Sequence, residues 1–244
     1  MSQFLPGRTA VLSPHLDDGV LSLGGAISEA TRAGSFVRIV TVFGGDVASM
    51  RQASGWDSLT GFATEGEAVR ARRSEDAEAC AVVGAEQVCL SFSEIVYAGE
   101  PDEGAVLHAV SEAVCDVDAL LMPGYPLIHR DHRWLCTRVL RARLPCAAVG
   151  LYVEQPYRDR VGDLRRIEVD SEIRELLRAD LQWERARIPL RNILAKRRAI
   201  NAYRSQLRPL ELERPGRARL ARMLLREAIH GGEAIAWVRS TAAQ

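Results

Sequence analysis

A few short apolar runs constrain this chain more than anything else in it. RTAVL (8–12), FVRIVTVF (36–43) and DALLMP (118–123) are continuous rather than alternating, and the second is rich in β-branched residues and closed by Gly44 and Gly45. Runs of this kind read as strands buried on both faces. QVCLSF (87–92) and AAVGLYVE (147–154) add two more. The stretches between them have helical character: 19–34, closed by Gly34; 65–83, ended by Gly84; 105–115; and 133–143. This strand–helix alternation predicts an α/β fold, Rossmann-like and three layers deep, with a mainly parallel central sheet and helices on both faces.

The pattern changes after Pro156. RVGDLRRIEV (160–169) reads as a short strand pair, 172–182, 190–207 and 217–229 as helices, and AIAWV (234–238) as a last strand. No internal repeat or low-complexity linker divides the chain, so one domain is expected over 1–244. Its core is 1–157, and 158–244 supplies capping helices and a wall for the substrate.

Composition excludes several function classes. Hydrophobic residues make up 47% of the 244, enough for a substantial core. Net charge is zero, which argues against a nucleic-acid binder driven by bulk charge. Residues 158–226 nevertheless hold 18 Arg and one Lys against 10 acids. That excess reads as solvated helix faces, with a phosphate or acidic partner as the alternative. No apolar run approaches the roughly 20 residues of a membrane span, and the N-terminal MSQFLPGRTAVLS has no signal-peptide pattern. Five cysteines without CxxC spacing suit reduced thiols, so the expected location is cytoplasmic.

Chemistry concentrates in two places. SPHLDDGVLSLGG follows the first strand and opens the first helix, and PLIHRDH (126–132) follows the strand at 118–123. Ligands of such sheets bind at the carboxyl ends of strands, where both motifs fall. Three of the five histidines, His15, His129 and His132, lie in these motifs. One acid at a helix start is a cap; two adjacent acids repel, and a buried carboxylate is costly unless paired or bound to a metal. A phosphate-binding turn is the rival at a first strand–helix junction, but PHLDDG has no glycine ahead of its acids, and those acids would repel a phosphate.

Imidazole and carboxylate donors suit zinc, and a catalytic zinc keeps three protein ligands; iron(II) fits the same donors. His15, Asp18 and His132 supply that set. Asp17 faces the open side, where a general base belongs. His129 approaches from the opposite side, as a general acid or as a donor to a tetrahedral oxyanion. Asp131 is placed to orient a histidine, and it is the nearest acid in sequence that could hold His129. The plainer alternative for Asp17 and Asp18 is helix capping.

On these motifs the chain resembles the PIG-L/LmbE-like family of zinc-dependent N-acetylglucosaminyl deacetylases, which carries (P/A)H-x-DD after its first strand and H-x-DH downstream. VRARRSEDAEACAVVGAEQVCLSF is similar to the family's R-x-x-E helix, on Arg72 and Glu75. FSEIVY is similar to a segment that usually reads F-P-D-x-x-Y, and LYVEQPY and KRRAINAYRSQL have counterparts in one bacterial branch. The first 157 residues are covered well and the rest loosely.

The resemblance implies that His15, Asp18 and His132 bind zinc, that Asp17 is the base and that His129 is its electrostatic or acid partner. Arg72 would lie near the substrate or its oxyanion. Glu94 stands where Asp is commoner, which alters a sugar-hydroxyl contact. The implied reaction is hydrolysis of an N-acetylamino sugar, GlcNAc-type or conjugated, releasing acetate. An amidase for another acyl-amide or a sugar-thiol conjugate is one alternative. A metal-stabilised binding protein is the other, and it needs neither Asp17 nor His129. Plainer readings of single residues are an Arg72–Glu75 ion pair at i,i+3, loop packing for Glu94 and Tyr97, and core packing for Trp134 and Trp183. His108 reads as a core or surface residue, and His230 as a helix C-terminal one. The polar, aperiodic segment 44–64, together with the region after Pro156, is expected to wall the acceptor side.

Overall fold

The computed structural model describes residues 4–53, 55–142, 144, 146–157, 170–177, 181–207, 217–229 and 232–238. Seven strands form one sheet: β1 (Arg8–Ser13), β2 (Phe36–Thr41), β3 (Glu86–Cys89), β4 (Ala119–Tyr125), β5 (Ala148–Val153), β6 (Trp183–Arg185) and β7 (Ala234–Val238). Their order is β3-β2-β1-β4-β5-β7-β6. The first five run parallel, and β7 and β6 complete the sheet antiparallel. The helices are α1 (Asp18–Arg32), α2 (Gly55–Leu59), α3 (Glu65–Val83), α4 (Ile95–Ala98), α5 (Glu103–Ala113), α6 (Arg130–Ala142), α7 (Ser171–Leu177), α8 (Leu190–Ile200), α9 (Arg204–Leu207) and α10 (Arg217–Ile229).

The continuous apolar runs are explained by two cores. Successive side chains of a strand point to opposite faces, so a strand covered on both sides needs no polar alternate. In β1, Val11 packs into one core and Ala10 and Leu12 into the other. Ile39 and Val40 of β2 divide in the same way, as do Leu121 and Leu120 of β4 and Tyr152 and Leu151 of β5. Side chains of α1, α3, α8 and α10 close the first core; those of α5, α6 and α7 close the second. The fold is therefore three layers deep, with a mainly parallel sheet between helices.

Element boundaries differ from expectation in informative places. Helix α6 starts at Arg130, so His132 lies in its first turn rather than before it. The helix expected over 190–207 breaks after Ile200, where the Tyr203 hydroxyl turns in and donates to Asp76 Oδ1 at 2.7 Å. β6 was not expected at all; it is three residues long, below the length at which a period can be read. The strand pair expected over 160–169, and His230, lie outside the described residues. Among the described residues no helix is long and apolar enough to cross a membrane.

The order of strands also locates the site. From β1 the chain goes to β2 on one side, while β4 pairs with β1 on the other. The crevice outside the carboxyl ends of two such strands is where open α/β sheets take their ligands.

Candidate active site

The turn after β1 is tied by its own side chains. Ser13 Oγ donates to the His15 carbonyl at 2.6 Å and accepts from Gly19 N–H at 2.9 Å. Asp18 folds back, and its Oδ2 accepts the His15 backbone N–H at 2.9 Å. Asp17 occupies the N-cap position of α1 but makes no capping bond with its side chain. Neither acid is therefore a conventional cap. The second motif follows β4, where Leu127 sits at φ 52°. That is a strained conformation for a leucine, of a kind that clusters at functional sites.

The two motifs meet. His15 Nδ1 lies 3.5 Å from Asp18 Oδ2, His132 Nε2 lies 3.2 Å from the same oxygen, and the two ring nitrogens are 3.2 Å apart. Each ring's other nitrogen is engaged by a carboxylate. His15 Nε2 is 3.0 Å from Asp131 Oδ2, and His132 Nδ1 bonds Glu154 Oε1. A carboxylate accepts, so those nitrogens keep their hydrogens, and when a cation displaces the proton on the far side of each ring the rings are neutral. Nδ1 of His15 and Nε2 of His132 then present lone pairs to each other and to Asp18. Ligands about 2.0–2.1 Å from a tetrahedral ion stand about 3.3–3.4 Å apart. The donor triangle therefore fits a small divalent cation, and a carboxylate behind each ring is the usual support of a metal-binding histidine.

The field around the rings has the same sense. Burial opposes charge on both histidines, yet Glu94, Asp131 and Asp18 hold His15 well above its ordinary pKa, and Asp18 and Glu154 push His132 up to about 10. Asp18 is held well below the usual carboxylate range, burial notwithstanding, by His132 and His15. Burial and the Asp18 charge push Asp17 up to about 8. Such a pocket attracts positive charge.

His129 stands edge-on to His15, with ring centroids 4.7 Å apart, and is about half exposed. Its Nδ1 accepts the backbone N–H of Asp131 at 3.3 Å, which leaves the hydrogen of the neutral ring on Nε2. Burial and the two neighbouring histidines push its pKa down to about 4. His15, His129 and His132 each offer an atom within 4.8 Å of the other two, as do His15, Glu94 and Asp131. In the second group the His15–Asp131 bond already uses both partners.

The partner expected for Asp131 needs correction. It supports His15, not His129, whose Nδ1 is 3.8 Å from Asp131 Oδ1. Asp131 Oδ2 also accepts the Ile95 N–H at 3.4 Å, which holds the carboxylate beside His15 whatever its closeness in sequence to His129. Arg72 does not pair with Glu75. Its Nη1 donates to Glu94 Oε1 at 2.9 Å and to Asp57 Oδ1 at 3.4 Å, while Glu75 accepts from Ser205. Burial works against the Arg72 charge, but Glu94, Asp57 and Asp17 hold it firmly cationic. Trp134 is buried against Phe43, and His108 is exposed beside Glu112.

Two residues of the site were not anticipated. Glu154, just past the end of β5, holds His132 and also accepts the N–H of Leu127 at 2.7 Å. Its signal was a single acid ending an apolar strand. Asp57 is 3% exposed in the middle of the aperiodic segment 44–64 and accepts from the Tyr97 hydroxyl at 2.6 Å. Nothing in its neighbourhood of the sequence marks it.

Comparison with known proteins gives the family and the fold. The family model described as PIG-L, GlcNAc-PI de-N-acetylase, matches residues 10–143. A 2'-N-acetylparomamine deacetylase of Streptomyces fradiae is 30% identical over 188 residues, which cover 69% of this chain and 63% of that protein's own length. Among solved structures, the A40926 pseudoaglycone deacetylase Dbv21 superposes with a TM-score of 0.77 at 24% identity, over 97% of this chain and 99% of that one. The zinc-inhibited form of the teicoplanin deacetylase Orf2 does so at 0.77 and 21%, over 97% and 100%. At those identities the two structures speak for the fold.

Proposed function

The chain belongs to the PIG-L family, and from that premise we propose that it is a metal-dependent hydrolase that removes the acetyl group from an acetylamino group of a sugar conjugate. The observation that carries the reading is the triangle of His15 Nδ1, Asp18 Oδ2 and His132 Nε2, with the side chain of Asp17 bonded to none of them. His15, Asp18 and His132 would hold the metal, zinc or iron(II). When bound it supplies Lewis acidity toward the amide carbonyl and toward water.

The remaining steps belong to the chain's own groups. Asp17 takes a proton from the water that attacks the carbonyl carbon; burial and the Asp18 charge make it a stronger base than an ordinary carboxylate, which favours that task. Nε2–H of His129 donates to the former amide oxygen as negative charge builds there. A ring fixed neutral through the Asp131 N–H is better suited to donate a hydrogen bond than to act as an acid. Asp17 then returns its proton to the leaving nitrogen as the C–N bond breaks, and acetate and the free amine depart. Arg72 and Glu94, paired beside this centre, contact the sugar.

The substrate follows from the relatives by name only. An acetylated aminoglycoside is the first candidate, a glycopeptide pseudoaglycone the second and N-acetylglucosamine the third. Acetate release should be measured for all three with metal-loaded protein. Release from at least one, abolished by Asp17→Asn, supports the reading. No release from any of them, with metal bound, leaves a metal-stabilised binding protein as the better description.

A further inference from the structure

Segment 44–64 reaches Arg72 and Tyr97 through Asp57, and the reading above gives that residue a use. We propose that Asp57 is a positioning residue for substrate. It fixes Arg72 and Tyr97 on the acceptor side of the site, and so makes the segment part of sugar recognition.

A buried carboxylate in a polar surface segment is costly unless its oxygens are answered. Those of Asp57 are. Oδ2 accepts from Tyr97 and Oδ1 from Arg72. Its backbone is held as firmly, since its carbonyl accepts from Thr60 N–H at 3.2 Å, Thr60 Oγ1 at 2.7 Å and Phe62 N–H at 3.3 Å. The stem of the segment is closed by Ala53 N–H to the Ala63 carbonyl at 3.0 Å and Glu65 N–H to the Arg51 carbonyl at 2.9 Å.

The residue before it completes a ring of contacts. Trp56 Nε1 donates to Gln206 Oε1 at 2.5 Å, Gln206 Nε2 donates to Ser205 Oγ at 2.8 Å, and Ser205 donates to Glu75 from both N–H and Oγ. Glu75 and Arg72 are both on α3, so α2 is clamped between two points of one helix. Arg72 itself is left incomplete. Its Nη1 is shared by Asp57 and Glu94, and its Nε is buried with no hydrogen-bond partner among the described residues. With that donor unanswered, the place of the guanidinium depends on its two carboxylates, Asp57 and Glu94.

The test uses metal-loaded full-length protein and the sugar of the three above that it hydrolyses fastest. Asp57→Ala should raise KM by about 10- to 100-fold, with kcat within about threefold and metal content unchanged. Asp57→Asn keeps an acceptor for Tyr97 but loses the charge facing Arg72, and Tyr97→Phe does the reverse; each should give a smaller rise. Added to Asp57→Ala, Tyr97→Phe should raise KM no further. An unchanged KM with only a lower melting temperature, or a loss of metal, overturns the proposal. Amide exchange needs no substrate and separates this proposal from the reading on which it rests. Exchange over 55–62 should rise at least about tenfold in Asp57→Ala while α1 stays protected. Unchanged exchange there overturns it even if the wild-type chain proves inactive.

Discussion

Helix α1 carries one buried charge cluster at its N-terminus and another about two turns further on, and the two are built on opposite principles. In the second, Lys196 Nζ donates to both oxygens of Glu227, at 3.0 and 2.9 Å, and to Glu233 Oε1 at 2.7 Å. The surplus negative charge of Glu233 is met by the N–H groups of Gly25 and Ala26, at 2.9 and 2.7 Å. Glycine is needed at this contact. A Cβ on Gly25 would stand 2.8 Å from Ile188 Cγ2, and one on Gly24 would stand 3.1 Å from Lys196 Cγ. In the first cluster two ring nitrogens and a carboxylate oxygen converge on one point instead, and Asp17 is held up to about 8 by burial and by Asp18. The closed cluster joins α1 to α8, α10 and the approach to β7. The open one is completed only by a cation and a substrate.

The sharpest way to break that contrast is to exchange adjacent acids for amides. Asp17→Asn should cut the rate by about 10²–10⁴-fold while keeping the metal, because it removes a proton acceptor and no ligand. Kinetics with metal analysis on the same preparation check this. Full activity in Asp17→Asn would put the base elsewhere.

Lys196→Met attacks the closed cluster. It leaves Glu227 and Glu233 buried without their cation, and should cost about 3–5 kcal/mol of stability, measured by denaturant unfolding, with metal content unaffected. The pH dependence has a definite sign. Burial works against the Lys196 charge, but Glu227 and Glu233 outweigh it and hold its pKa above the ordinary 10.5. The stabilisation from this charge is therefore fully present below about 10.5 and is lost as pH rises through the higher folded-state value. Lys196→Met should show less alkaline destabilisation than wild type. An equal loss in both would remove the lysine from the balance.

The third effect is smaller. His129→Ala should lower kcat by about 10²–10³-fold with KM little changed, the range found for loss of one oxyanion donor. Metal content should stay at the wild-type level. A loss of metal in step with activity would make His129 a ligand.

What could be read from the sequence depended on how far apart the interacting residues lie. Strands β1 to β5 were legible because burial on both faces leaves a continuous apolar run, and β7 was legible for the same reason, whereas the three-residue β6 was not. His15, Asp17 and Asp18 were legible because one turn holds all three, and His132 because PLIHRDH repeats the pattern after another strand. The partner of Asp131 was not legible, because two histidines of its own motif lie within two positions whereas the residue it holds, His15, is 116 positions away. Glu154 showed only as an acid at a strand end, with its histidine 22 positions off. Asp57 had no period around it, and its partners are 15 and 40 positions away. The purpose of Gly24 and Gly25 was hidden in the same way, since the groups they admit come from α8 and from Glu233.

The central claim is that the open cluster is a cation site made by His15, Asp18 and His132, with Asp17 beside it but outside the ligand set. Zinc and iron(II) titration of metal-stripped wild type, Asp17→Asn and Asp18→Asn, followed by calorimetry, tests it directly. About one ion per chain should bind to wild type and to Asp17→Asn, with binding to Asp18→Asn strongly weakened. No uptake by the wild-type chain, or equal loss in the two variants, would contradict it.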